Sequence, residues 1–433
     1  MLTRFWFIYF CLLVGINLGA KAQFTPPRIL QHPTQIQQQY LNTLNSRYRE
    51  TNLCISPDGK YLFFMSGRGG MSWSTPFYTN YKGHPEFDGD IWYSVNMGAN
   101  GWQYPRCLDA SINTEMGEDE PNISPDGQTV VFQSWRNQWQ YTGGPYYISQ
   151  LNGAYWNQPK GLGGGITAFF LDREASGLDL ATDGATLSAD GNIFIVAVGP
   201  YDGNMDLYIS RKNINGIWSY PTRLTASSIY NERSPFLASD GKTLYFASDG
   251  YAGWGGLDIL KTTLLENNVT SEILNIGAPF NTTQDDYGFI LTAAGSQAYF
   301  VRDGDIYFAD VSQANEELKP SYSTLMISGI ITNSTNKKGT NALVKIIDSN
   351  TKKVIAQTNS NSITGEFALV LPTNATSIIK EVTKTGFEKD EQKHETTIQI
   401  GLNQIIANVE LIPVGQKIVK KEDQDAAADV GTK

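Results

Sequence analysis

The sequence predicts an all-β protein: a five-bladed β-propeller, with six blades as the alternative, followed by a β-sandwich. Three observations predict it: the composition favours strands and turns, a hairpin motif recurs along the chain, and a separate strand-rich segment follows the repeats. Of 433 residues, 12% are aromatic, 18% are charged, 41 are glycine and 18 are proline. Many aromatic residues and frequent turns at low charge are typical of β-rich proteins.

A hairpin motif occurs four times, and a degenerate fifth copy follows. Each full copy places Asp-Gly between apolar runs, which indicates a β-hairpin because glycine accepts positive φ angles and Asp hydrogen-bonds the turn backbone. The copies are spaced by about 50 to 70 residues, enough for the four strands of a propeller blade plus insertions. They are Asn52–Phe64, Asn122–Phe132, Thr186–Ile195, Phe236–Phe246 and Phe289–Phe300.

Each hairpin is followed by a predicted third strand. In four repeats this strand opens with an aspartate, whereas the second repeat has Tyr146 to Ser149 at this point. The aspartates are Asp90, Asp206, Asp258 and Asp305.

A predicted outer strand follows in three repeats, with the spacing Trp-x-x-Pro-x-x-Leu. Proline in a sheet belongs at an edge, and we expect the tryptophan to pack between neighbouring blades. The segments are Trp102–Leu108, Trp156–Leu162 and Trp218–Leu224.

The fifth repeat lacks an outer strand, since no Trp-x-x-Pro segment follows Asp305–Phe308. The segment Thr34–Tyr40 has no inner strands before it. We therefore predict that Thr34–Tyr40 is the outer strand of the last blade, which closes the ring and removes an exposed sheet edge. Two long insertions interrupt the repeats, at 68–88 and 161–185, and a sixth, irregular blade would have to lie in the second one.

The N-terminus predicts a secretory signal peptide over residues 1–22. Arg4 precedes the apolar run Phe5–Leu18, and Ala20-Lys21-Ala22 provides small residues for cleavage. The run is short for a membrane span, which needs about 20 residues, so an uncleaved anchor is the alternative. The mature chain would begin with a short lead, 23–33, and no later segment is long and apolar enough to span a membrane.

Two cysteines remain after that cleavage, Cys54 and Cys107. Export permits a disulfide. The repeat places these residues on the inner and outer strands of one blade, which are not neighbours. We therefore expect two buried free thiols, with a disulfide as the alternative.

The repeats resemble the WD40-like β-propeller repeats of TolB and related envelope proteins, which share the Ser-Pro-Asp-Gly-Lys turn. The stretch Ser239–Ser248, followed by Gly-Trp-Gly-Gly-Leu-Asp258, looks like the version found in Bacteroidetes envelope proteins. In those proteins a carboxypeptidase-regulatory-like sandwich and an OmpA-like peptidoglycan-binding domain often follow, as in PorE-type proteins associated with type IX secretion and gliding. The resemblance implies a propeller over 34–315.

The segment 324–414 is similar to a carboxypeptidase-regulatory-like domain, a prealbumin-like β-sandwich. The sequence given continues as a polar tail, 415–433, which we expect to be disordered, and contains no OmpA-like domain, so the resemblance leaves direct peptidoglycan anchoring in doubt. The strands and turns that carry the similarity are Met326–Thr332, Ala342–Asp348, Thr364–Pro372, Val382–Phe387 and Ile398–Pro413.

The charged and histidine residues argue against several functions. A net charge of −10 disfavours non-specific nucleic-acid binding, which needs a basic face. The only histidines, His32, His84 and His394, leave little room for a multi-histidine metal site or histidine-based catalysis. The turn aspartates occupy equivalent positions of different blades, too far apart for paired acid–base catalysis. We expect no catalytic residue and no cofactor; a propeller hydrolase or lyase is the least favoured alternative.

Three acidic turns have oxygen ligands of the kind that Ca²⁺ takes. None continues as a full calcium-binding loop, so we expect structural turns and no metal site. The turns are Asp88–Asp90, Asp202–Asp206 and Asp303–Asp305.

Two aromatic, glycine-rich loops form the predicted interaction surface, because binding residues usually lie on loops held by a rigid scaffold. The alternative is that these loops pack over the ring itself. The candidate residues are Trp73, Phe77, Tyr78, Tyr81 and Phe87 in the first insertion, and Trp139 and Tyr141 in the second repeat.

We therefore expect a non-enzymatic scaffold, exported to the periplasm or associated with the outer membrane, whose partners are envelope or outer-membrane proteins. The second hypothesis is a glycan- or peptidoglycan-binding module that uses the aromatic loops.

Overall fold

The computed structural model describes residues 26–69, 78–81, 84–201, 203–372 and 374–415, with the backbone alone at 78–81 and 84–87. Five antiparallel sheets stand around a central axis, and the first strand of each sheet lies next to the first strands of the two neighbouring sheets. This closed circle of inner strands confirms a β-propeller of five blades.

The chain enters through two short strands, β1 (Arg28–Ile29) and β2 (Gln38–Tyr40), before the first blade begins. Blade 1 consists of β3 (Glu50–Ile55), β4 (Tyr61–Ser66), an inserted hairpin of β5 (Tyr78–Tyr81) and β6 (His84–Phe87), then β7 (Asp90–Val95) and β8 (Arg106–Cys107). Blade 2 consists of β9 (Glu118–Ile123), β10 (Thr129–Ser134), the short helix α1 (Trp139–Thr142), β11 (Tyr146–Asn152), β12 (Tyr155–Trp156) and β13 (Lys160–Gly161).

A helix, α2 (Gly164–Ala175), separates blade 2 from the remaining blades. Blade 3 contains β14 (Thr182–Leu187), β15 (Ile193–Val198), β16 (Asp206–Arg211) and β17 (Thr222–Arg223). Blade 4 contains β18 (Glu232–Leu237), β19 (Thr243–Ser248), β20 (Asp258–Thr263) and β21 (Leu274–Asn275). Blade 5 contains β22 (Asp286–Leu291), β23 (Gln297–Arg302) and β24 (Asp305–Asp310).

The segment Thr34–Tyr40 completes the ring through β2, as the sequence predicts. Strand β2 pairs antiparallel with β24, and Gln38, Gln39 and Tyr40 lie opposite Ala309, Phe308 and Tyr307. Strand β1 makes a second contact, which the sequence did not predict: it pairs in parallel with β21 of blade 4. The N-terminal residues 28–40 therefore join blades 4 and 5.

The second insertion holds α2 rather than a sixth blade. Its aromatic side chains fill the space between two blades: the Phe170 ring centroid lies 5.7 Å from that of Trp135 in blade 2, and Phe169 lies 4.9 Å from Tyr208 in blade 3. The helix thus extends the core between these blades, and the six-blade alternative is wrong.

The Asp-Gly turns have the local chemistry that their sequence predicts. In blade 1 the Ser56 hydroxyl donates to Asp58 Oδ1 at 2.6 Å, the Lys60 amide donates to the same oxygen at 3.0 Å, and Gly59 has a φ of 74°. Blades 2 and 3 repeat the Ser–Asp hydrogen bond. These aspartates stabilise the turns in which they lie. We call the side of the propeller that carries these turns the turn face. The opposite side, where the inner strands begin, is the loop face.

The outer segments partly follow the prediction. Trp102 of blade 1 contacts Tyr299 of blade 5, with ring centroids 5.8 Å apart, so this tryptophan packs between neighbouring blades. Cys54 and Cys107 lie on β3 and β8 of blade 1 and are free, as predicted, but both residues are half-buried rather than buried. Burial raises the pKa of the Cys54 thiol to about 11, which keeps it protonated and unreactive.

A β-sandwich follows the propeller. One sheet has the order β28–β25–β31, with β32 also paired to β25, and the other has the order β27–β26–β29–β30. Their inward apolar side chains form a separate core. The strands are β25 (Ser323–Asn333), β26 (Leu343–Asp348), β27 (Val354–Asn359), β28 (Glu366–Leu371), β29 (Ser377–Thr383), β30 (Asp390–Glu395), β31 (Gly401–Ile406) and β32 (Val409–Leu411).

Candidate functional site

The inner strands share a bulge where they enter the central channel from the loop face. The third residue of every inner strand has a positive φ, and the pairing with the second strand shifts register there. A bulge bends the strand and re-aims its side chains. The five residues are Asn52, Glu120, Gly184, Ser234 and Gly288.

Polar side chains at these bulges connect adjacent blades. Asn52 Nδ2 of blade 1 donates to Asp119 Oδ1 of blade 2 at 2.7 Å. The Gly184 amide of blade 3 donates to Glu120 Oε1 at 2.9 Å, and the Tyr146 hydroxyl donates to the other oxygen of the same carboxylate. These carboxylates therefore have structural partners that hold the inner strands together.

Burial raises the pKa of both Asp119 and Glu120 above their usual values, and for Glu120 the neighbouring charge of Asp119 adds to the effect. Perturbed carboxyl groups in a channel are also found at catalytic sites. Here each carboxyl accepts hydrogen bonds from the inner strand of an adjacent blade. Asp119 and Glu120 therefore link the inner strands of blades 1, 2 and 3.

A salt bridge continues this network to blade 4. Arg233 Nη1 lies 2.6 Å from Asp183 Oδ2 of blade 3, and Arg233 Nη2 donates to the Tyr201 carbonyl at 2.6 Å. Arg233 therefore stabilises the loop that follows β15. Across the described ranges, no group of three or more His, Cys, Asp or Glu side chains is placed to hold a metal ion.

The first residue of the inner strand is an acid in four blades, and each acid anchors the preceding link. Glu118 accepts the Thr114 hydroxyl at 2.7 Å and the Ser134 hydroxyl at 2.6 Å, and Arg136 Nη2 lies 3.2 Å away. Blades 1 and 5 use Arg68 and Arg302 in the same way. The acids are Glu50, Glu118, Glu232 and Asp286.

The structure places the predicted interaction residues in different environments. Trp73 and Phe77 lie outside the described residues. Tyr78, Tyr81 and Phe87 are on the β5–β6 hairpin, where Tyr78 pairs with Phe87 in register.

Within blade 2, Tyr141 on α1 is 88% exposed, whereas Trp139 is only 6% exposed. Trp139 packs edge-on against Trp135 with ring centroids 5.3 Å apart, and it belongs to the same core as α2. The prediction that Trp139 belongs to an interaction surface is therefore wrong, because Trp139 is buried in the core that includes α2.

Sequence reasoning missed another set of exposed apolar residues on the loop face. They lie on three loops of blades 3 and 4, and their exposures range from 41% to 73%. The loops adjoin: the Asn231 amide donates to Asp249 Oδ1 at 2.8 Å, and the guanidinium of Arg233 lies over the ring of Tyr201 at 5.7 Å. We call this set the loop-face patch; it consists of Tyr201, Ile229, Tyr230 and Trp254.

No protein-family model matches the chain, and no curated protein sequence matches it. Solved structures do resemble it. A putative TolB from Agrobacterium tumefaciens is 16% identical, with 78% of this chain and 99% of that chain covered and a TM-score of 0.35. TolB from Acinetobacter baumannii is 18% identical, with 63% and 57% covered and a TM-score of 0.33.

A gluconolactonase from Xanthomonas campestris is similar to a comparable degree. It is 9% identical, with 66% of this chain and 94% of that chain covered and a TM-score of 0.36. At these values the likeness carries no functional argument for this chain. None of the helices in the described part of the chain has the length and apolarity to cross a membrane.

Proposed function

We propose that this protein is a non-enzymatic scaffold of the cell envelope that binds a protein partner through the loop-face patch. The observation that carries the proposal is the grouping of exposed apolar side chains on adjoining loops of one face. Exposed apolar side chains that are grouped on one part of a protein surface mark interaction sites. Tyrosine and tryptophan are also enriched at the energetic centres of interfaces.

The partner's chemistry follows from what surrounds the patch. Asp249 and Asp285 are exposed on the loops beside it, and the chain as a whole carries a net charge of −10. An apolar centre with an acidic rim fits a partner with an apolar ridge flanked by basic residues, because complementary charge speeds and orients association. The signal-peptide pattern and the resemblance of the repeats to TolB-like envelope propellers support a partner within the envelope.

The proposal is tested by affinity capture from envelope extracts with matched baits. The test variant carries Tyr230→Ser and Trp254→Ser, and the control carries Tyr104→Ser, an exposed tyrosine at the outer edge of blade 1. We expect the same envelope protein to be enriched by the wild type and the control and lost with the test variant. Equal recovery by all three baits contradicts the role of the patch, and product release from envelope polysaccharides by purified protein contradicts the non-enzymatic role.

A further inference from the structure

The sandwich docks on the turn face of the propeller through polar contacts. They include the ion pair between Lys60 and Glu366, with Nζ 2.7 Å from Oε1. They also include the hydrogen bonds Gln128 Nε2 to Asn359 O at 3.0 Å and Thr358 Oγ1 to Asp126 Oδ2 at 3.1 Å. In the linker just before β25, the Tyr322 amide donates to Asp240 Oδ2 at 3.1 Å. The Asp-Gly turns thus serve both their own hairpins and this junction.

A cleft of about 690 Å³ remains between blade 2 and the sandwich. This is within the range of ligand-binding pockets, which often lie at domain junctions. Its described lining contains seven Asn or Gln side chains and three Ser or Thr side chains, and none that is charged. This is unusual for a chain in which 18% of residues are charged.

Five of the lining Asn and Gln side chains are available to a ligand, and they come from both walls of the cleft. They are exposed, and their side chains make no hydrogen bond to any residue of the described ranges. Blade 2 contributes Gln150, Asn152 and Asn157, and the sandwich contributes Gln357 and Asn359.

We propose that this cleft binds a neutral oligosaccharide. A carboxamide offers both donors and an acceptor, which matches sugar hydroxyl and acetamido groups that also donate and accept. A charged ligand would find no counter-charge in this lining and would lose its hydration without compensation. The hairpin between Asn152 and Asn157 also carries Tyr155, an exposed aromatic ring that can pack against a sugar face.

The extent of the cleft favours a chain of sugars over a single one. A second cavity of about 620 Å³ shares Asn341, Leu343 and Asn359 with the first, so the cleft continues along the sandwich. This second part is lined by Lys384 and Lys389 as well, so the neutral recognition belongs to the part against blade 2. The site differs from the aromatic loops, so it can exist whether or not the loop-face patch binds a protein.

The test is calorimetric titration of the full chain with cellotetraose and N-acetylchitotetraose, with tetragalacturonate as the charged probe of equal length and a Gly-Ser octapeptide as the peptide probe. We expect at least one neutral sugar to bind at least tenfold tighter than tetragalacturonate and the peptide. Gln150→Ala and Gln357→Ala, one on each wall, should each weaken that binding about fivefold, the loss expected for one hydrogen bond.

The control is Asn215→Ala, an exposed amide of blade 3 outside the cleft, which should bind like the wild type. Failure of both neutral sugars to bind overturns the proposal. So does tighter binding of tetragalacturonate or the peptide, or undiminished binding by both cleft variants. Circular dichroism of each variant checks that the fold is retained.

Discussion

The Asn113 side chain pairs with the backbone of Ile91 as if it were a further strand. The Ile91 amide donates to Asn113 Oδ1 at 2.9 Å, and Asn113 Nδ2 donates to the Ile91 carbonyl at 3.1 Å. The same two bonds join Asn281 to Ile259. In blade 3 the Ser227 hydroxyl accepts from the Leu207 amide at 2.9 Å. In each of these blades, the hydrogen bonds hold the segment that leads to the next blade against the third strand of the blade that precedes it.

Replacing Asn113 with alanine should destabilise the fold by about 1–3 kcal/mol, because it leaves the buried Ile91 amide without a partner. The Ile91 carbonyl keeps the Leu108 amide, which donates to it at 3.0 Å. Asn113→Ser should cost less, since serine serves at the equivalent position of blade 3. Urea unfolding measures both, with the exposed Asn215→Ala as the control. A loss for Asn113→Ala no larger than for the control contradicts this account of the link.

Ring closure by β2 predicts a sharp effect of a small deletion. A chain that begins at Gln38 keeps β2, whereas one that begins at Asn42 loses it and exposes the edge of β24. It also loses the hydrogen bond from Arg302 to Gln38 at 2.8 Å. We expect the shorter chain to melt at a lower temperature and to self-associate, because exposed strand edges pair. Calorimetry and sedimentation that find the two chains alike would argue that β2 does not close the ring.

Glu232 predicts a pH dependence of stability. Blade 4 has Gly250 at the position where blade 2 has Arg136, the arginine that pairs with Glu118. Burial raises the pKa of Glu232 from 4.5 to about 7. Between these pH values the folded state holds a proton that the unfolded state releases. The stabilisation is therefore complete below pH 4.5 and is lost as the pH rises through 7.

Relative to Glu232→Gln, the wild type should lose up to about 3 kcal/mol of unfolding free energy between pH 4.5 and 8. Urea titrations at several pH values measure this difference. The exposed Glu316→Gln variant should follow the wild type throughout. Parallel curves for wild type and Glu232→Gln would show that Glu232 keeps its ordinary pKa.

Much of the fold could be predicted because its signals are local and repeated. The Ser56–Asp58 turn is defined by four adjacent residues, so each copy in the sequence identifies a hairpin. The outer position of β2 follows from the strand missing after Asp305–Phe308. The helix α2 could not be predicted in this way, because the repeat pattern stops where it occurs.

The sites were harder to predict because they depend on packing between distant segments. Trp139 has the sequence context of an exposed loop, but it packs against Trp135 and belongs to the core that also contains α2. Tyr201, Tyr230 and Trp254 lie on three separate loops, which adjoin only when blades 3 and 4 pack side by side. The amides of the cleft belong to two domains, so their grouping depends on how the sandwich docks.

Site-specific photo-crosslinking in envelopes tests the central claim, that the loop face binds a protein partner. A photoreactive residue replaces Tyr230 in the loop-face patch or, as the control, Tyr104 at the edge of blade 1. The account predicts a discrete adduct with one envelope protein from position 230 and not from position 104. No adduct from position 230, or the same adducts from both positions, would contradict it.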